Sequence, residues 1–410
     1  MSNTFATTSV VAKESLAILE NMLTFAKGVN RSWESEFSSN MARGYAPGQT
    51  INIKKPPRYN WRAGRISVPQ STVQTTVPLT LSQGGTDLNF TSAERTLSVA
   101  QMEPMLMAAM ATVANEVDRQ GLDVAINASQ HGIASPAGLG TYPSTTAQAL
   151  QFFTDAATRL DVMAAPRDKQ RSVVMSPRLN GSMVQALSGL FNSQSKLADQ
   201  YGSGLMVDSI GFNVSMDQNV QRHTNGTQAA GPTANAVNGA GQSGSTITVN
   251  GAAITGTITR GSKITFGGIN YVNPQSRHDT GIAAQFTVTA DVAAGATSIP
   301  ISPALTPSGQ FQNVTASPAN NASLTVLGAA SSSWEGSIAY HRDAFTLATV
   351  PLYAPPSGKG VIGVAQESHK GINMRVIEFY DGVNDNYVMR FDILFGWAST
   401  YPELSVALAV

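Results

Sequence analysis

Between His223 and Trp334 the chain carries only Arg260, Lys263, Arg277, Asp279 and Asp291 as charged residues, and this neutral stretch constrains the fold more than any other feature. It contains the short alternating runs STITVNG, SKITFGGINYV, AQFTVTADV, ATSIPISP and ASLTVLG, separated by Gly, Asn, Ala and Pro turns. A period of two is the pattern of a strand with one face buried, and strands spaced this closely pair with one another. The preceding TNGTQAAGPTANAVNGAGQSGS has no periodicity and reads as a flexible lead-in. The stretch is therefore expected to form a small barrel or sandwich. Its core candidates are Ile264, Phe266, Ile269, Val272, Phe286 and Val288, with Gly267-Gly268 at a turn or bulge.

On either side the period changes. VVAKESLAILENMLTFAKGV sets Ala12, Leu16, Leu19, Met22, Leu23 and Ala26 at helical spacing up to Gly28. SVAQMEPMLMAAMATVANEVDRQGLDVAINASQHG carries an apolar stripe of Met102, Met105, Leu106, Ala109, Val113, Val117 and Val124, and predicts one helix from about Met102 to Ala128 despite Gly121. STTAQALQFFTDAATRLDVM predicts another, capped by Ser144 and ended before Pro166. RSVVMSPRLNGSMVQALSGLF reads as strand, turn and helix, and MRVIEFYDGVNDNYVMRFDILFG as a hairpin turning at Asp381-Gly382 and Asn384-Asp385. Helices and strands intermix, so the body is α+β and the neutral β-module is an insertion into it. The 410 residues also exceed the ~250–300 at which a single core stops growing, so several packed bodies are expected.

Charge is lopsided in one place. Between Glu36 and Asp87 the charged residues are Arg43, Lys54, Lys55, Arg58, Arg62 and Arg65, all basic. Here INIKKPPRYNWRAGRISVPQSTVQTTVPLTLSQGG alternates, with Pro56-Pro57, Pro69, Pro78 and Gly84-Gly85 as punctuation, which suits a long edge hairpin. Such an arm has little to bury against its own body. Ordering it costs about 1–2 kcal/mol per backbone residue, which contacts with another subunit must offset. Lys54, Lys55, Arg58, Arg62 and Arg65 are the candidate inter-subunit contacts, with Asp87, Glu94, Glu103 and Glu116 of a neighbour as candidate partners. Tyr59 and Trp61 among these cations also fit a single-strand nucleic-acid groove. The chain-wide balance of 26 Lys plus Arg against 26 Asp plus Glu favours the neighbour-facing loop.

Composition and motifs count against an enzyme. Charged residues make up 13%, so most of the surface is neutral and favours association. No cysteine is present for disulfides or a thiolate metal site. The start MSNTFATTSVVAKESL lacks a basic segment followed by a long apolar one, and no apolar run approaches ~18 residues, so neither signal-peptide export nor a membrane span is expected. Gly358-Lys359-Gly360-Val361-Ile362-Gly363 matches G-x-G-x-x-G, but PLYAPPS precedes it where a buried strand is needed. His131, His223, His278, His341 and His369 show no repeated metal-ligand spacing and read as surface or turn residues, and His278-Asp279 falls in a polar turn. No catalytic function and no cofactor are expected.

The order of amphipathic arm, basic Pro-punctuated hairpin, long helix, α/β body and late hairpin resembles the major capsid proteins of tailed bacteriophages, those of the Hong Kong 97-like fold. RGSKITFGGINYVNPQSRHDTGIAAQFTV is similar to the inserted domain of the coat proteins of the Salmonella podovirus P-twenty-two type, in which a basic-Gly, polar-Lys-Ile, aromatic-Gly run opens a strand pair. FGWASTYPELSVALAV is similar to their last stretch, and NPQSR and ATVANEVDRQGLDVAINAS agree more loosely.

The resemblance implies an N-terminal arm over 1–45, an extended loop over 46–95 and a peripheral domain with spine helix over 96–165. It further implies the first part of an axial domain over 166–227, an inserted small β-barrel over 228–334, and return strands of the axial and peripheral domains over 335–410. The implied role is a structural major capsid protein that assembles with itself, as hexamers and pentamers, and with a scaffolding protein and a portal protein. The icosahedral procapsid so formed would expand around packaged dsDNA held without sequence-specific binding. The implied location is the virion capsid, assembled in the host bacterial cytoplasm, with no membrane and no cofactor. A β-rich phage tail or surface adhesion protein is the alternative that the neutral insert also suits.

Overall fold

The computed structural model describes residues 8–31, 50–59, 61, 64–67, 69–91, 102–187, 210–229, 231–356, 361–369 and 371–410. They fall into two compact units. One holds the described parts of 1–53, 77–121 and 346–398, and the other 54–76, 122–345 and 399–410.

In the first unit, helix α1 (Thr8–Met22) buries Val11, Ala12, Leu16 and Leu19, the stripe expected from spacing. The helix stops at Met22, short of the expected Gly28, because Asp118 captures the amides beyond it. Its Oδ2 accepts from Thr24 N at 2.6 Å and its Oδ1 from Ala26 N at 2.9 Å. Strands β1 (Thr50–Lys54) and β2 (Thr76–Thr80) form a two-stranded sheet, and the chain continues into β3 (Ser82–Thr91). Gly84 and Gly85 therefore lie inside a strand and not at a turn. A Cβ on Gly85 would stand 2.0 Å from Phe391 O, so the glycine permits the close pass of β3 over its partner.

Helix α2 (Met102–Ala128) is continuous, as the Met-rich stripe predicted, and the division between the units falls after Gly121. That glycine is explained by packing. A Cβ there would meet Trp397 Cζ2 at 2.5 Å and Phe25 Cδ1 at 2.8 Å, and these two rings stack at 5.2 Å.

The second unit opens its ordered body with β4 (His131–Ala134), α3 (Thr146–Val162), β5 (Arg171–Met175), α4 (Pro177–Leu187), β6 (Asn213–Met216) and β7 (Arg222–Thr224). The cap of α3 is Thr145, one residue beyond the expected Ser144. Its hydroxyl accepts from Gln148 N, and the Gln148 side chain reciprocates, completing a capping box.

The insert follows as β8 (Gly231–Thr233), β9 (Gly244–Thr248), β10 (Lys263–Val272), β11 (Asp279–Val288), β12 (Ser298–Leu305) and β13 (Leu324–Val326). These make one six-stranded antiparallel sheet in the order β8-β13-β10-β11-β12-β9. Ile264, Phe266, Ile269, Val272, Phe286 and Val288 are all buried. The β10–β11 register slips between Thr265 and Asn270, and Gly268 within the slip has φ +80°.

The chain then returns through β14 (Ser333–His341) and β15 (Phe345–Val350), followed by β16 (Val361–His369), β17 (Ile372–Asp381), β18 (Asn386–Ser399) and β19 (Ser405–Ala409). The order β4-β19-β14-β5-β6, with β7 on β14, makes the second sheet of this unit beside that of the insert, and on it α3 and α4 bury Phe152, Phe153, Leu160 and Met183 against Val173, Val406 and Leu408. The first unit's sheet runs β15-β18-β17-β16, and β3 pairs with β18 from Ser82 to Thr91. The hairpin expected over 374–396 is thus β17–β18.

The insert joins its own unit through a polar seam. Lys263 is 1% exposed, and its Nζ donates to Ile126 O at 3.0 Å, to Thr287 Oγ1 at 3.0 Å and to Ser129 O. These carbonyls lie in and just beyond the last turn of α2, where helical acceptors lack partners. Gln285 pairs with both polar atoms of Gly132, accepting from its N and donating to its O at 3.0 Å each. His131, His223 and His341 are buried, contrary to the surface expectation, while His278 and His369 are exposed.

Candidate functional site

The basic loop runs from β1 to β2 and is closed at its base by Lys55 N donating to Thr75 O at 2.8 Å. Pro56 and Pro57 follow Lys55 and keep the chain from continuing the ladder. The loop's base rests on the turn that links β18 to β19. There Pro402 opens a 3-10 turn over Pro402–Leu404, and Tyr401 and Glu403 face the loop. Lys55 Nζ sits 4.8 Å from the Tyr401 ring centroid, and Arg58 Nη2 bonds Glu403 Oε1 at 2.9 Å. Burial lowers the pKa of Lys55, opposed by the Glu403 carboxylate, and burial raises that of Tyr401.

Farther along, Tyr59 OH and Thr72 Oγ1 bond at 3.1 Å across the loop. Beyond this point large apolar groups stand in water: Trp61 is 94% exposed and Ile66 83%. Lys54 and Arg65 are exposed as well. Of the five candidate cations, Lys55 and Arg58 converge on the 401–403 turn, Lys54 and Arg65 point to no shared partner, and Arg62 lies outside the described residues. Sequence reasoning missed Tyr401 and Glu403, which lie about as far along the chain from Arg58 as the chain allows; no local pattern signals such a pairing.

The other chemical hints do not assemble into a catalytic centre. Val361–Gly363, the described part of the Gly358–Gly363 match, opens strand β16, where a phosphate cradle needs a helix. Asp279 accepts from Gly281 N at 2.8 Å and Asn270 Nδ2 at 3.3 Å, a turn-forming role beside an exposed His278. Among the described residues no His, Asp or Glu cluster could hold a metal ion, and no helix is long and apolar enough to cross a membrane.

What the loop offers is a surface: cations and bare aromatic and aliphatic groups on a base pinned to the chain's own C-terminal turn. Burying one such apolar side chain on a partner contributes about 1.5–3 kcal/mol. None of the curated proteins matches the chain. Among solved structures, a Mycobacterium phage Che8 chain is 14% identical, covers 94% of this chain and 90% of its own, and has a TM-score of 0.45. The mature capsid of bacteriophage PhiM1 is 11% identical over 89% of this chain and 82% of its own, at 0.42. A virus-like particle from Pyrococcus furiosus is 8% identical over 97% of both, at 0.39. The family model described as P22 coat protein, gene protein 5, matches residues 70–409, from the loop through the insert to the last strand. A match of that extent decides the matter: this chain belongs to the P22 coat protein family.

Proposed function

We propose that copies of this chain assemble, with a scaffolding protein and around a portal protein, into an icosahedral procapsid that expands as dsDNA is packaged, in the cytoplasm of a bacterial host. The structural capsid role is that of the family, and the chain is a coat protein, not an enzyme. The tail or adhesion alternative rests on the neutral insert, which a coat subunit of this family accommodates as well.

The observation that carries the assembly reading is the basic loop, which exposes Trp61 and Ile66 beside Arg65 while Lys55 and Arg58 tie its base down. An isolated subunit gains nothing from that arrangement, whereas a neighbour covers it. Lys54, Lys55, Arg58, Arg62 and Arg65 are accordingly taken as inter-subunit contacts. The parts are taken as an arm over 1–45, an extended loop over 46–95, a peripheral domain over 96–165, an axial domain over 166–227, an insertion domain over 228–334 and return strands over 335–410. The insert is read as a small barrel; the bridge Val237↔Val249, which sets the run after β8 beside the run after β9, supports this.

Sedimentation and electron microscopy of the full chain test the proposal. Particles or capsomers are expected. Trp61→Ala with Arg65→Glu should leave the subunit's melting temperature unchanged and reduce particle yield. A chain that stays monomeric at high concentration, with and without a scaffolding partner, sinks the reading.

A further inference from the structure

Beside the base of the basic loop lies a cleft of about 390 Å³, floored by Tyr271, Phe311, Pro303 and Pro402. A second, of about 340 Å³, adjoins it and shares Arg58 and Glu403. Lys55 and Arg58 face the first and Arg277 the second; Glu403 is the one carboxylate among their described lining residues. Since Glu403 is paired with Arg58, Lys55 and Arg277 leave the mouth positive. Arg277 is fixed there, donating to Gly309 O and, at 2.7 Å, to Gln310 O. An apolar floor under a cationic rim selects an occupant that is apolar at its point and acidic at its sides.

The chain carries such a group. The β17–β18 hairpin ends in Tyr380-Asp381-Gly382-Val383-Asn384-Asp385, with no base between Arg375 and Arg390. Val383 at its point is 92% exposed. The turn is held in shape: Asp381 accepts from Val383 N at 3.0 Å and Asn384 Nδ2 at 2.7 Å, and Tyr380 OH donates to Asp385 at 2.9 Å. Little ordering is then lost on docking. The basic loop, with Arg65 beside Trp61, has the wrong sign for the same cleft.

We infer that the β17–β18 hairpin tip of one copy docks in this cleft of a second copy, with Val383 on the apolar floor and Asp381 and Asp385 against Lys55 and Arg277. The two surfaces differ, so the contact is heterologous and repeats from copy to copy, as a ring or shell requires. The inference rests on the coat-subunit reading and adds a specific contact to it.

The chain has no cysteine, so single introduced thiols report cleanly. Full-length Val383→Cys and Ala304→Cys chains, Ala304 being an exposed residue of the cleft lining, are co-assembled under mild oxidation. A mixed disulfide-linked dimer is expected on a non-reducing gel. In parallel, Val383→Lys is expected to leave subunit melting unchanged and lower particle yield at least tenfold, and Lys55→Glu in the same chain to restore most of it. Particles without the mixed link, particles whose V383C copies link to each other, or a V383K loss that K55E does not relieve overturn the docking. So does an A304C thiol shielded from alkylation without any mixed link, which marks another segment in the cleft. If the unaltered chain forms no particle or oligomer, the coat-subunit reading fails and the docking falls with it.

Discussion

Replacing Lys263 by Met keeps the stem that packs on Gly132 and removes the amine that binds the end of α2. The acceptors are not orphaned outright. Ile126 O retains Ser129 Oγ at 3.3 Å, and Ser129 O retains Thr287 Oγ1 at 2.6 Å. The loss is then the net worth of the amine's hydrogen bonds, about 1.5–3 kcal/mol for a charged donor, set against the relief of no longer burying it. Burial pushes the Lys263 pKa well below that of a solvated lysine, so the relief is real. The balance is expected to be a destabilisation of roughly 1 kcal/mol, about fivefold faster hydrogen exchange in β10 and β11. Lys263→Ala also empties the stem's space and should lose about 2–5 kcal/mol, as truncation of a buried Met or Leu does. Lys263→Glu, an acceptor set against acceptors, should be worse still. The pH dependence follows from linkage. Between the lowered pKa and 10.5 the unfolded chain holds a proton that the folded chain does not, so wild-type stability rises with pH through that window, and K263M removes the rise. Exchange in K263M equal to or slower than wild type at pH 7, with K263A strongly accelerated, would show that only the stem matters and refute the role given to the amine.

His131 is fully buried and packs edge-on against Tyr271 at 4.9 Å; burial, then Arg159, lowers its pKa from 6.5 to about 3, opposed by the Glu403 main chain. Its contribution is fully present above pH 6.5 and is lost as pH falls toward 3, at most about 5 kcal/mol, so His131→Leu should flatten the acid limb of urea midpoints measured from pH 7 to 3; an unchanged limb excludes it as the source. Gly121→Ala gains at most about 1 kcal/mol of helix propensity, and the clash with Trp397 and Phe25 should exceed that, lowering the melting temperature and shifting Trp397 fluorescence; a stabilised variant contradicts the packing. Residues 228–334, whose hydrophobic cluster takes in Met163 and Val162 from outside among the described residues, should fold when excised and give dispersed amide shifts, and a random-coil spectrum counts against a separate unit.

Much of the fold was legible because its signals are local. The stripes of α1 and α2, the core of the insert and the β17–β18 hairpin follow from periods of 3.6 and 2 that any window of the chain displays. What stayed hidden depends on distant residues. The end of α1 is set by Asp118, more than 90 positions away. The strand at Gly84-Gly85 is set by Phe391, and the burial of three histidines by sheets and rings assembled from all over the chain. The basic loop was legible as a charged, Pro-broken segment, but its anchoring was not. Arg58 is 345 positions from Glu403, and nothing near either residue announces the other.

The pairing of Gln285 with Gly132 has a further consequence. The glutamine amide engages a main-chain N–H and C=O, groups that nearly every residue offers, and Thr287 and Lys263 likewise meet carbonyls. The host side of the seam is thus read largely as backbone, joined by side-chain contacts of Gln130 with Gln285 O, of His131 with the Tyr271 ring and of His223 with Ser262, and it demands smallness at 132, where a Cβ would stand 2.8 Å from Leu327 and Lys263. An attachment of that kind travels with the guest. A β-module carrying its own Lys, Gln and Thr at these three strand positions can be transplanted into a related chain that ends its long helix in the same way, keeps a glycine after it and offers the module side chains like Gln130, His131 and His223.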